Sequence, residues 1–251
     1  YVATVSVKDA NGNEIGTATS TKEIVYEKLA HDYKDGVCTV CGAGNVARVY
    51  GNTRYETAYA VANELKVVLG VEKFDTIIVA CGSNFPDALS GSYLATIKDA
   101  PILLAKTNND ALLAYIQENL SDDGLVYILG SDVVVSKAFE DSLKAENIKV
   151  ERLAGATRYL TNLAILEEAG ITGNEMLIST SVNYADSLSA SSTGLPILLI
   201  NNSKKDLTTE QKEFLAQRDN WKFYILGSEA AVCAEFEDVL GEYGEVVRVS
   251  G

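Results

Sequence analysis

R-V-Y-G-N-T-R-Y-E-T, residues 48–57, returns as R-L-A-G-A-T-R-Y-L-T at residues 152–161. Three further blocks return in the same order. N-F-P-D-A-L-S (84–90) becomes N-Y-A-D-S-L-S (183–189), P-I-L-L (101–104) recurs at 196–199, and Y-I-L-G-S (127–131) recurs at 224–228. Arg48 returns as Arg152 and Pro101 as Pro196, so the offset drifts from 104 to 95 residues as loops change length. Four blocks in a fixed order mark an internal repeat, and a repeat decides the fold before any single element does. The chain closes on R-V-S-G (248–251), which copies the opening of each repeat. On this reading 46–150 is one repeat, 151–246 a second, and 247–251 the first strand of a third.

Inside a repeat, strand and helix alternate. A strand at Val46–Tyr50 precedes Gly51, and a helix runs from about Arg54 to Leu69, with Thr53 and Glu56 spaced as a capping box. In the second copy Leu160 replaces that Glu, leaving Thr157 as the cap. Thr76–Cys81 is an apolar run too short for a helix and fits a strand buried on both faces of a parallel sheet. Asn84 is the expected N-cap of the next helix, with Pro86 in its first turn and Asp87 against its dipole. Pro101 starts another buried strand. A helix near Asn109–Leu120, a strand at Leu125–Leu129 and a helix near Ser136–Ala145 complete the unit. The fold class is therefore α/β: two tandem Rossmann-like parallel-sheet repeats, preceded by a small β-hairpin and C-x-x-C segment.

Composition narrows the function. The 251 residues carry a formal net charge of −14. That excess argues against nucleic acid and anionic lipid as partners, since both need a basic face. It leaves room for one local basic groove built from residues such as Arg48, Arg54, Lys98, Lys106, Arg152, Arg158 and Arg248. No apolar run is long enough for a membrane span. The first residue is Tyr1 and no leader is visible, so the chain reads as a piece of a longer precursor.

The motifs R-x-x-G-x-x-R-Y-x-T, N-x-x-D-[AS]-L-S, P-I-L-L and Y-I-L-G-S, from residue 46 onward, resemble the cell-wall-binding repeat type 2 family of Gram-positive surface proteins. The resemblance implies a secreted, surface-located chain that anchors non-covalently to an anionic glycopolymer of the cell wall. It also implies three repeats about a pseudo-threefold axis. Two repeats and a stub then leave an apolar flank that either drives self-association or is partly covered by residues 1–45. A second reading is a scaffold or adhesin module that contacts other proteins.

The recurring polar residues are the candidate polymer-binding set: Arg54, Arg158, Asn84, Asp87, Asn183 and Asp186. Each arginine follows a capping threonine, so its guanidinium starts beside free N–H groups where phosphate or carboxylate can bind. The alternative is an ion pair with Asp87 or Asp186 that fixes repeat packing. Asn84/Asp87 and Asn183/Asp186 sit where open α/β sheets bind ligands and can hydrogen-bond sugar hydroxyls, or simply cap. Gly51 and Gly155 permit a positive φ or a close approach. Tyr55 and Tyr159 read as core before they read as sugar platforms. No G-x-G-x-x-G, Walker A or G-x-S-x-G motif is present, and the single histidine, His31, lies outside the repeats, so no catalysis is expected of them.

Residues 1–45 read as a hairpin, as at the end of an immunoglobulin-like or similar β domain, followed by C-x-x-C-G. Cys38, Cys41 and His31 suggest a structural zinc site, and a disulfide between the two cysteines is the competing reading. Cys81 and Cys233 read as small buried hydrophobes.

Overall fold

The computed structural model describes residues 2–21, 33–34, 37–39 and 48–250. The chain divides into two compact units, Tyr1–Arg48 and Val49–Gly251. In the first, β1 (Val2–Lys8) and β2 (Glu14–Thr21) form the expected antiparallel hairpin. The Asp9 carboxylate builds its turn, accepting from the amides of Asn11 (2.8 Å) and Asn13 (2.9 Å). β3 (Tyr33–Lys34) pairs with β4 (Val37–Cys38), which ends on a buried Cys38. His31 and Cys41 lie outside the described residues.

The second unit holds both repeats. The first contains α1 (Arg54–Leu69), β5 (Phe74–Cys81), α2 (Pro86–Ile97), β6 (Ile102–Ala105), α3 (Asp110–Asn119), β7 (Leu120–Leu129), α4 (Lys137–Ala145) and β8 (Lys149–Leu153). The second contains α5 (Arg158–Ala169), β9 (Glu175–Thr180), α6 (Ala185–Ser191), β10 (Ile197–Ile200), α7 (Thr209–Leu215), β11 (Trp221–Leu226), α8 (Glu235–Gly241) and β12 (Gly244–Val249). Each repeat contributes a four-stranded, fully parallel sheet, ordered β6-β5-β7-β8 and β10-β9-β11-β12.

Helix starts follow the sequence closely. Thr53 and Glu56 form a full capping box, and Thr157 accepts from Leu160 N at 3.3 Å. Two expectations are corrected. Asn84 does not cap α2: Pro86 begins the helix one residue later, and the Asn84 side chain accepts from its neighbour Phe85 N instead. The R-x-x-G strands also belong elsewhere. Residues 48–50 carry no regular structure, β8 closes the first sheet, and β12 closes the second. Residues 247–249 lie in β12, paired with β11 as the fourth strand of the second sheet.

Ile77 to Cys81 of β5 are all buried, as a strand in a doubly covered sheet must be, while their side chains alternate between its two faces. Ile77 and Val79 face α1, α3 and α4 through Ala62, Leu112, Ile116 and Phe139. Ile78 and Ala80 face the other way, into a core that also holds Tyr93 and Leu94 of α2, Ile165 and Leu166 of α5, and Ile178 and Ile225 of the second sheet. One interior therefore runs through both repeats. Its seam is α2 against α5.

Asn162 of α5 is fully buried at that seam. Its amide donates to Ile197 O (2.9 Å) and Ser90 Oγ (3.1 Å) and accepts from Leu199 N (2.9 Å). It completes the bonding of edge strand β10 while reaching into the first repeat. A second tie is polar: the Tyr127 hydroxyl donates to Glu168, which also stands 3.6 Å from Lys98 Nζ.

Candidate functional site

Three of the four recurring blocks converge at the carboxyl ends of the first sheet, where open α/β sheets place ligands. Three turns frame the place: the one after β5 that opens α2, the one after β7 at Gly130–Ser131, and the one after β8 that opens α5. Between them lies a cleft of about 180 Å³ lined by Asn84, Asp87, Ser131, Thr157 and Arg158. Its walls come from both repeats.

The glycines and threonine of the first block shape the turn. Gly155 N donates to Thr161 Oγ1 at 3.0 Å, and Gly51 N makes the same bond to Thr57. A Cβ on Gly155 would stand 2.4 Å from Leu160 Cβ and 2.8 Å from Thr161 N. Close approach is therefore the reason for glycine, since neither Gly51 nor Gly155 has a positive φ. The last residue of the block, Thr57 or Thr161, is a role the sequence alone did not reveal.

The leading arginine pins the next turn. Arg152 donates from Nη1 to Gly130 O (2.8 Å) and from Nε to Glu140 (2.8 Å), and Arg248 repeats the pair with Gly227 O (3.0 Å) and Glu237 (2.6 Å). Lys144 first, then Lys137 and Arg152, hold the Glu140 carboxyl down at about 2. Gly130 and Gly227 have φ near +90°. A Cβ there would come within 2.5 Å of Asp87 Oδ2 and 2.7 Å of Asp186 Oδ2. The Y-I-L-G-S and N-x-x-D blocks recur together because the aspartate occupies the room glycine leaves.

The second arginine does not form the ion pair considered above. Arg158 Nη1 donates to Ser181 O at 2.6 Å and Arg54 Nη1 to Gly82 O at 2.8 Å, each bracing the turn after the first strand of its own repeat. Arg158 and Asp87 face each other across the cleft without an N···O approach of 4.0 Å or less. The Asp87 carboxylate is half-buried and makes no hydrogen bond. Burial raises its pKa, and the Arg158 charge works against that rise.

Of the six candidate residues, Arg158, Asn84 and Asp87 share this cleft. Arg54 lines an adjoining hollow of about 490 Å³ with Asn84, Phe85, Leu89, Tyr184 and Leu188, where the Phe85 and Tyr184 rings meet edge-on at 5.5 Å. Asn183 and Asp186 lie in the second repeat, outside both. Tyr159 bonds Ser181 Oγ at 2.8 Å and Tyr55 lies under Lys106 Nζ, 5.3 Å from the ring centroid. Both tyrosines are half-buried and brace the fold. Cys81 is buried as expected, whereas Cys233 is half-buried and its amide donates to Asn202 Oδ1.

Among the described residues no helix is long and apolar enough to cross a membrane. The second unit resembles known structures over most of its length. Cwp8 from Clostridium difficile matches 81% of this chain and 35% of its own, with 28% identity and a TM-score of 0.72. Cwp6 from the same organism matches 96% of this chain and 41% of its own, with 22% identity and a TM-score of 0.70, a likeness of fold. Two Bacillus subtilis (strain 168) proteins are similar in sequence. The N-acetylmuramoyl-L-alanine amidase LytC is 29% identical over 179 residues, 69% of this chain, and the amidase enhancer is 27% identical over 203 residues, 79% of this chain. The chain spans 34% and 26% of those two relatives, so the shared part is a module within longer proteins. The model of Cell wall binding domain 2 (CWB2) matches residues 48–140 and 152–237, one match per repeat; the chain belongs to this family, and its place is the cell wall.

Proposed function

We propose that these repeats are a non-catalytic anchor that holds its parent protein to an anionic glycopolymer of the cell wall, with the Arg158 cleft as a contact. The observation that carries the reading is the double family match, with both repeats assembled into one body. The relatives named for amidase activity are about three to four times longer than the shared module, which supports assigning their chemistry to other parts. Chain mixed with purified wall should pellet with it, and wall stripped of its secondary polymer should leave the chain in the supernatant. Pelleting that ignores the stripping defeats the reading.

A second reading, contact with protein, is favoured by two open helix faces. α5 buries six residues at the seam while its counterpart α1 buries only Ala62, leaving Val61, Val67 and Val68 exposed. α2 likewise buries six residues and its counterpart α6 only Ser187, with Tyr184 and Leu188 exposed. The α6 face of one copy therefore suits the α1 face of another, head to tail. Sedimentation velocity should show association that rises with concentration and is lost in Val67→Lys; a monomer throughout refutes self-association. In the N-terminal segment the proposal includes structural zinc on His31, Cys38 and Cys41, which metal analysis of protein purified without added zinc tests.

A further inference from the structure

The cleft between the repeats has an unusual balance of groups for an anion site. Arg158 supplies donors on one wall, with a single N–H committed to Ser181 O. The facing wall is the Asp87 carboxylate, half-buried, unbonded and held against the Gly130 backbone. A phosphate seated on Arg158 inside the cleft would stand opposite the half-buried Asp87 carboxylate, and like charges facing each other across so narrow a gap repel. The two charges also stand too far apart to satisfy each other. What fits between them is an uncharged group that donates to one wall and accepts from the other. Adjacent hydroxyls of a sugar ring do both: two O–H groups can donate to the two carboxylate oxygens, and the hydroxyl oxygens accept from the guanidinium. Asn84, Ser131 and Thr157 at the rim offer further neutral partners. The cleft, about 180 Å³ and open to solvent on one side, can admit one ring while the rest of a chain continues outside it.

Resting on the anchoring reading above, we propose that the Asp87–Arg158 cleft recognises one uncharged sugar residue of the polymer through adjacent hydroxyls and rejects its anionic groups. The charge of the polymer is then met outside this cleft. Specificity resides in the carboxylate, because an acceptor aimed at two hydroxyls is sensitive to their relative orientation.

The test is saturation-transfer NMR on the full chain with a panel of methyl hexopyranosides that differ in the orientation of adjacent hydroxyls, and with inorganic phosphate as competitor. At least one glycoside should receive saturation, and excess phosphate should leave the signal in place. Asp87→Asn should weaken binding by about tenfold or more with the melting temperature unchanged. Ala156→Trp, which fills the cleft from its rim, should silence the signal and guards against an Asp87 variant that folds poorly. Displacement by phosphate, binding that survives both substitutions, or silence from every glycoside overturns the proposal. Wall pelleting that persists while all glycosides stay silent sinks this inference alone, whereas absent pelleting sinks the anchoring reading beneath it.

Discussion

Gly155→Ala should lower the stability of the two-repeat unit by about 3 kcal/mol, the range expected when backbone must shift to admit a side chain. The methyl group has nowhere to go. Its nearest neighbours are Leu160 Cβ at 2.4 Å and backbone atoms of Leu160 and Thr161 at 2.6 and 2.8 Å, none of them the mobile end of a side chain. Relief requires the first turn of α5 to move, which also breaks the 3.0 Å bond from Gly155 N to Thr161. For a unit of this size the melting temperature should fall by roughly 6–12 °C. Differential scanning calorimetry checks it, and a shift under about 2 °C would show that the turn yields more easily than its contacts indicate.

The largest functional effect is expected from Arg54→Ala combined with Arg158→Ala. Both side chains are exposed, and each gives one hydrogen bond to a carbonyl. Removing both should cost about 1 kcal/mol each, a loss of a few degrees in melting temperature. Wall binding should fall more than about tenfold, since guanidinium donors to oxygen ligands are among the stronger polar contacts. The single substitutions should be unequal. Arg158 stands opposite Asp87 in a cleft with two walls, while Arg54 edges a wider, largely apolar hollow. Arg158→Ala should therefore account for most of the loss. Melting that drops by more than ten degrees with binding intact would return Arg158 to a purely structural role.

The α/β class and most element positions were legible because repeated blocks expose periodicity twice over. Helix α1 begins and ends where Thr53 and Gly70 place it. The strand boundaries were not legible, for a topological reason. R-x-x-G reads as the start of a repeat, but its strand hydrogen-bonds to the sheet already made and only its glycine belongs to the next helix. Contacts between blocks were equally hidden. That Asp87 needs Gly130, or that Arg152 holds the Gly130 carbonyl, depends on which turns meet at the strand ends, and order along the chain does not carry that. Asn162 was missed because its counterpart in α1 is Ala58; a residue present in only one copy leaves no trace in a comparison of copies. The expected Arg–Asp ion pair is not made, since charge pairing in a sequence says nothing of the gap left between Arg158 and Asp87.

The proposed anchoring role is mechanical, and the shared interior of the two repeats sets how load would be carried. Ile78, Leu94, Ile165 and Ile225 belong to one cluster, so no hinge separates the halves and tension cannot be relieved by letting one swing. A pull that reaches the seam must part close-packed apolar side chains and the buried Asn162 amide together. The two repeats should yield in a single step, as one grip.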